Sequence, residues 1–272
     1  MELFKAYCKD FWRYRYLLQN LIARDFTLRY RRSILGVVWS VLNPLLMNLV
    51  MVLVFTTIFD TRGMGVKNFP VYLIIGQLLF GFFNEATTSA LSSMLGAAPL
   101  IKKVYIPKYI FPLEKVGFAM VNCLFSFIAL AIVMIATGSP LYPTALLGIY
   151  PFLTLSVFSL GVGLMLAAAT VFFRDIMHLW GVFTTALMYF SAVFYDPSQM
   201  GDQVILGVTI SMSKFITYNP VYWYIYGFRT AVLDGEVLPW DNVMLCGVGA
   251  LVALILGLLV FRRQQDKFVL HI

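Results

Sequence analysis

Charge is scarce in this 272-residue chain: Asp, Glu, Lys and Arg together make up 12% of it, against roughly 25% in an average soluble domain. Hydrophobic residues reach 61%. Burying that much apolar surface in one water-soluble core of this length is implausible, so the bilayer is the expected solvent. Cysteine is nearly absent. Cys8, Cys123 and Cys246 stand alone, with no CxxC or Cys/His cluster, so neither a metal site nor a disulfide framework is indicated. They read as small apolar packing residues. No G-x-x-x-x-G-K-[ST] occurs anywhere, so the chain does not bind ATP through a P-loop. A cleavable signal peptide is not expected either. The first 33 residues are studded with charge, and the apolar run begins only at Ile34. No internal repeat or low-complexity linker is visible.

What is present is a series of long apolar runs. They predict spans at 34–58, 70–94, 115–137, 146–173, 178–195 and 243–261, each near the 20 residues needed to cross about 30 Å of hydrocarbon. Pro70 opens the second, Gly138 and Pro140 close the third, and Asp196-Pro197 closes the fifth. The predicted organisation is a cytoplasmic interface segment 1–33, a transmembrane domain 34–261 and a cytoplasmic tail 262–272. With six spans both termini share a side, and that side carries sixteen of the twenty Lys and Arg residues. The bias puts the termini in the cytoplasm. The net charge of +7 is then a topology signature and not a sign of nucleic-acid binding. Residues 204–228 are also fairly apolar, but Lys214 and Asn219-Pro220 interrupt them. A seventh crossing would put Arg262, Arg263 and Lys267 outside. The expectation is a pair of short re-entrant helices shielded by protein. The fold class is thus all-α integral membrane: six transmembrane helices, an amphipathic N-terminal interfacial helix and re-entrant short helices between the last two spans.

Several segments carry candidate mechanism. Phe4, Tyr7, Phe11, Tyr14, Leu18 and Leu21 recur at steps of three and four, with Lys5, Lys9 and Arg13 elsewhere on the wheel. This is an amphipathic helix on the membrane surface, either a plain anchor or a surface for a cytoplasmic partner. Arg24, Arg29, Arg31 and Arg32 cluster at the membrane edge, where attraction to anionic lipid alone would explain them. Pro44, inside the first span, predicts a kink. The loop between spans two and three mixes Lys102 and Lys103 with large apolar side chains and is bracketed by prolines. It is too long for a tight turn, and its Tyr, Ile and Phe side chains need a cover, for which another protein is a good candidate. Arg174-Asp175, at a tight turn, is read chiefly as capping helix ends. Glu85 is the one carboxylate well inside a span, a functional candidate by default, though Asn84, Thr87 and Thr88 beside it offer local partners. Small residues in the fourth span (Gly161, Gly163, Ala167, Ala168, Ala169) permit close helix contact. Most of the aromatics read as packing or lipid-facing. A minority, for which Phe80, Phe83, Phe183, Tyr189, Phe190 and Phe194 are the candidates, would line a conduit and stack on sugar rings.

Taken together, four motifs resemble the permease subunits of ABC-2 type exporters, in the branch that exports polysaccharides and polyol phosphates: O-antigen, capsule and teichoic acid. They are Arg24-Asp25 … Arg29-Tyr30-Arg31 … Ser33 … Leu35-Gly36 … Trp39 … Pro44; Leu100-Ile101-Lys102-Lys103 … Pro107 … Pro112; Phe173-Arg174-Asp175-Ile176; and Tyr218-Asn219-Pro220 … Phe228-Arg229. Each alone is weak; as a set they cover nearly the whole chain. The resemblance implies a homodimer in the bacterial inner membrane, paired with two copies of a separate ATPase that holds ATP and Mg. The cargo implied is a lipid-linked glycan moved outward. It further implies that the N-terminal helix (Phe4, Tyr7, Phe11) and the loop residues Pro99, Leu100, Ile101, Lys102, Lys103, Tyr105 and Pro107 contact the ATPase. The short helices between the last two spans would cover the outer end of the conduit. Two rival readings stand beside it. An ion-coupled carrier predicts several intramembrane carboxylates or histidines, and only Glu85 qualifies. A membrane transferase acting on lipid-linked sugars wants paired acids, which the outer-side residues Asp196, Asp202, Asp234, Glu236 and Asp241 would have to supply.

Overall fold

The computed structural model describes residues 2–31, 33–58, 66–104, 106–197, 202–205 and 208–268. Ten helices and one hairpin follow in order: α1 (Glu2–Tyr30), α2 (Trp39–Ile58), α3 (Phe69–Gly96), α4 (Ala98–Ile101), α5 (Ile110–Ala136), α6 (Ile149–Phe172), α7 (Ile176–Phe190), β1 (Asp202–Ile205), β2 (Val208–Ser211), α8 (Met212–Thr217), α9 (Pro220–Arg229) and α10 (Trp240–Gln264). The fold is helical with one departure. Where short helices alone were expected, the chain first makes an antiparallel hairpin, Asp202 pairing with Ser211 and Ile205 with Val208. The two short helices α8 and α9 come after it.

Among the described residues, five helical stretches are long and apolar enough to cross a bilayer: Gly36–Thr57, Phe69–Gly96, Ile110–Ala136, Pro143–Phe172 and Trp240–Lys267. The sixth apolar helix, α7, has only 15 residues and is about 22 Å long at 1.5 Å per residue. Hydropathy carries the fifth span to residue 195, but the helix stops at Phe190. At and beyond its end, the carbonyls are taken by side chains from α9 and its N-cap. Asn219 donates to Phe190 O at 3.0 Å, and Arg229 donates to Ala192 O at 2.8 Å and Val193 O at 3.0 Å. Ala192 turns the chain with φ of 51°, a left-handed conformation that interrupts a helix.

α3 is the central helix. It packs against α5, α6, α2 and α9, and its residues from Val71 to Ile75 are buried without interruption. Asn68 caps it by accepting from Val71 N, with Pro70 in the first turn. α6 and α10 form the other tight pair. A Cβ at Gly161 would meet the Ala253 backbone, and one at Gly257 would meet Gly161, so the two backbones touch where both lack side chains. Two apolar clusters result. The larger is built on α3, α5, α6 and α9. The smaller lies near the α3–α5 loop and the end of α10 and joins Met94, Phe111, Leu164 and Val171 to Phe261 and Phe268. α2, α7 and α10 leave wide apolar faces uncovered, among them Leu53, Val182 and Leu251. Such faces are stable against lipid or another membrane helix.

Candidate functional site: a cleft from the end of α1 to the Arg229 clamp

The turn from α1 into α2 lies at the membrane edge. Gly36 takes φ of +49° there with open space around it, so backbone conformation, not crowding, calls for glycine. The turn places the end of α1 against α3 and α5. Arg29 pairs with Glu85, Asn122 donates to the second Glu85 oxygen at 2.8 Å, and Tyr30 donates to Asn122 at 2.9 Å. Arg29 also lies 5.4 Å from the Phe118 ring. Glu85 is therefore held by residues from α1 and α5. Its α3 neighbours face elsewhere: Thr87 donates to Phe83 O and accepts from Trp180, and Thr88 donates to Asn84. One turn earlier on α1, Asp25 bonds Lys115 of α5 and, at 2.8 Å, Arg24. Partial burial raises the Asp25 carboxyl pKa, but the hydrogen bonds from Lys115 and Arg24 outweigh it and hold the group below its usual value. α1 is thus bolted to the membrane core by two ion pairs.

Beyond this latch opens a cleft of about 740 Å³. Its wall runs along α2 from Trp39 and Ser40 through Asn43 to Met51, a rise of about 18 Å for a helix. Gln77, Phe80, Asn84 and Glu85 of α3 face it, as do Asn122 and Ser126 of α5. Met188, Val193 and Phe194 close its far end. The lining is largely apolar, with Met47, Met51, Leu78, Phe80 and Met188 among it, and a few amides and hydroxyls are set into it, as in a small-molecule or lipid-linked ligand cleft.

The far end is fixed by a clamp. Arg229 is 4% exposed. Besides Ala192 and Val193 it donates to Tyr72 O at 2.9 Å, with its guanidinium carbon 3.4 Å from the Tyr72 ring centroid. Tyr72 in turn donates to Tyr195 O at 2.7 Å. Of the fourth motif, Arg229 therefore pins the segment after α7 to α3, and Asn219 ties the end of α7 to the start of α9.

The candidate residues scatter between several places. Phe80 and Phe194 line the cleft with Arg29, Tyr30 and Trp39. Phe194 also stacks on Phe55 at 5.8 Å. Phe83 is not among the residues that line this cleft: it is 1% exposed and packs against Phe158 and Trp180. Phe183 and Tyr189 lie on the uncovered surface of α7, and Phe190 is half-buried. Arg24 and Arg31 are exposed. Arg174 and Asp175 are exposed too, and Asp175 makes no side-chain cap bond. The α6–α7 turn is made by backbone bonds instead, such as His178 N to Asp175 O at 3.0 Å. In the loop between α3 and α5 Pro99, Lys102 and Lys103 are exposed, while Leu100, Ile101 and Pro107 are half-buried. Tyr105, and the side chains of Phe4, Tyr7 and Phe11, lie outside the described residues.

The expected need for a cover over this loop is met in part within the chain. Leu100, Ile101, Ile106 and Tyr109 pack on the cluster that contains Phe261 and Phe268. Lys108 donates to Gln265 O and lies 5.8 Å from the Phe268 ring. Sequence reasoning missed Lys108, Phe268, Gln77 and Asn122. The last two carried a readable signal, since an amide inside an apolar span needs a partner.

Comparison with known proteins follows the same outline. The chain is 26% identical over 262 residues to an O-antigen export system permease protein of Myxococcus xanthus, covering 96% of both chains. It is 24% identical over 251 residues to a capsule polysaccharide export inner-membrane protein of Neisseria meningitidis serogroup A, covering 89% of both. It is 20% identical over 257 residues to a polysialic acid transport protein of Escherichia coli, covering 93% of this chain and 95% of that one. Residues 16–233, which hold the latch, the cleft and the clamp, match the ABC-2 type transporter family, and the chain belongs to that family.

Proposed function

We propose that this chain is the permease subunit of an ABC exporter that moves a lipid-linked polysaccharide, of O-antigen, capsule or teichoic-acid type, from the cytoplasmic leaflet outward. The observation that carries the reading is the course of the cleft. It starts at Arg29 and Tyr30 on the basic membrane edge, ends at Phe194 beside the Arg229 clamp, and is lined between them by apolar side chains with a few amides set among them. Relatives matched over nearly their whole length bear export names of this kind. In this reading the chain sits in a bacterial inner membrane with both termini cytoplasmic and α7, extended by residues 191–197, as the sixth crossing. ATP and Mg belong to a separate ATPase present in two copies.

α2 and α7 both contribute to the cleft and are poorly covered by the rest of the chain. A second copy packed on that side would close the cleft into a conduit, which supports a homodimer. The exposed Pro99, Lys102 and Lys103, with the N-terminal part of α1, form the proposed contact with the ATPase. An ion-coupled carrier is less well supported, because Glu85 is already neutralised by Arg29. Deleting the chain in its host tests the function. Surface glycan should disappear while lipid-linked glycan accumulates inside the cell; unchanged surface glycan would refute export.

A further inference from the structure

After Gln264 the chain makes a 3-10 turn, Gln265–Lys267, and Phe268 follows it. In an uninterrupted helix Phe268 would lie seven residues beyond Phe261 on the same face, about 10 Å further along the axis. Their ring centroids are 5.2 Å apart, so the turn folds Phe268 back over Phe261. Phe268 is also 6.1 Å from Phe172 at the end of α6. It is fully buried, although Asp266 and Lys267 before it are exposed. The third side of its pocket is the α3–α5 loop. The Lys108 ammonium lies 5.8 Å from the Phe268 ring and donates to Gln265 O. Gln265 is the C-cap of α10, where the helix dipole favours a cation. Leu100, Ile101, Ile106 and Tyr109 of the loop pack on the same cluster.

We propose that Phe268 is a positioning residue: it seats the α3–α5 loop on the α6–α10 pair, so that a partner pressing on the loop moves the pair. The inference rests on the reading that the ATPase contacts this loop, and adds a route by which that contact reaches the membrane core. The route is separate from the one through Arg29, which ties α1 to α3. α6 and α10 already touch through their backbones at Gly161 and Gly257, so they act as one body. A close-packed apolar contact passes a displacement on, because neither side can yield without opening a void. Pro99, Lys102 and Lys103, the exposed residues of the loop, are sequence neighbours of Leu100 and Ile101, which pack on the cluster. Ordering a segment after a helix costs conformational entropy. Here a deep aromatic contact and the Lys108 bond offset that cost, and both tie the segment to the loop.

Spin labels test the seat on the chain alone. Cys8 is replaced by alanine, and the buried Cys123 and Cys246 are left in place. In nanodiscs, nitroxides are attached at Lys103→Cys on the loop and Arg174→Cys beyond the end of α6, both exposed positions. The distance distribution between them should roughly double in width in Phe268→Ala and return in Phe268→Leu, which keeps most of the apolar bulk. Phe127→Ala removes a ring from the larger cluster, where it packs on Phe152 and Phe228. It should lower the unfolding temperature as much and leave the width unchanged. An unchanged width in Phe268→Ala, or equal broadening in Phe127→Ala, overturns the proposal. Vesicles holding the chain, its ATPase and lipid-linked glycan test the consequence. Glycan moved per ATP hydrolysed should fall roughly tenfold in Phe268→Ala with the ATPase still bound, and recover in Phe268→Leu. Lys108→Met leaves the ring in place and should shift both readouts in the same direction, which decides the matter if Phe268→Ala does not fold. A ratio unchanged in both variants overturns the proposal as well. If the unsubstituted chain moves no glycan, the export reading fails, and the label distances still decide the seat.

Discussion

Glu85 lies inside an apolar helix, where an unpaired carboxylate is costly. Arg29 reaches it from α1 and Asn122 from α5. The residue types of the latch were legible in the sequence: Glu85 as the lone intramembrane carboxylate, Arg29 as part of a basic cluster. Their pairing was not, because it joins positions 56 residues apart and no local periodicity reports such a contact. The same holds for Arg229, whose four bonds go to backbone carbonyls of Tyr72, Ala192 and Val193 and so have no signature in side-chain chemistry. The latch makes a specific prediction. Arg29→Met leaves Glu85 unpaired, and Glu85→Leu leaves Arg29 unpaired. Each should destabilise the purified protein by about 1–3 kcal/mol, less than a fully buried pair because Arg29 is 45% exposed. The double variant should be milder than the sum of the two. Thermal unfolding in detergent measures the cycle; strict additivity would show that the pair does not couple α1 to α3.

At the scale of elements, hydropathy locates the long helices because their apolar runs are uninterrupted, and helix signals such as Asn68-Pro70 mark the ends. It overran α7 because hydropathy does not register the outside donors that take the carbonyls at and beyond its end. It also missed the pairing of β1 with β2, because an apolar run as short as a four-residue strand cannot be told from a helix segment by hydropathy. Small residues in the fourth span were legible as a contact surface. Their partner was not, since Gly257 of α10 lies almost a hundred positions away. Packing of α6 on α10 depends on that contact. Gly161→Leu should force the helices apart and destabilise the fold by about 1–3 kcal/mol or more. Gly81→Leu, in a helix of the same kind but facing open space, should not. A lower unfolding temperature for the first variant and not the second checks this, and equal stability of both would refute the close contact.

At the scale of the molecule, the cleft, the latch and the clamp form one continuous path on α3: Tyr72 at the clamp, Gln77 and Gly81 along the cleft, Glu85 at the latch. Motion of α1 would act on one end of that path through Arg29, and α1 is also where a cytoplasmic partner is proposed to bind. The loop between α3 and α5 is the second proposed contact, and the proposal falls on its exposed residues, since its apolar ones pack partly on Phe261 and Phe268. Replacing Lys102, Lys103 and Tyr105 together should lower co-purification of the ATPase at least several-fold while membrane insertion stays normal; co-purification at full yield would remove this loop from the interface.

Export itself is tested most directly in inside-out vesicles that contain the chain, its ATPase and lipid-linked glycan. On adding ATP, the glycan should pass into the lumen and become resistant to an added glycosidase, and vesicles lacking the chain should show no such protection. Glycan that stays fully digestible with ATP and both subunits present would contradict the account.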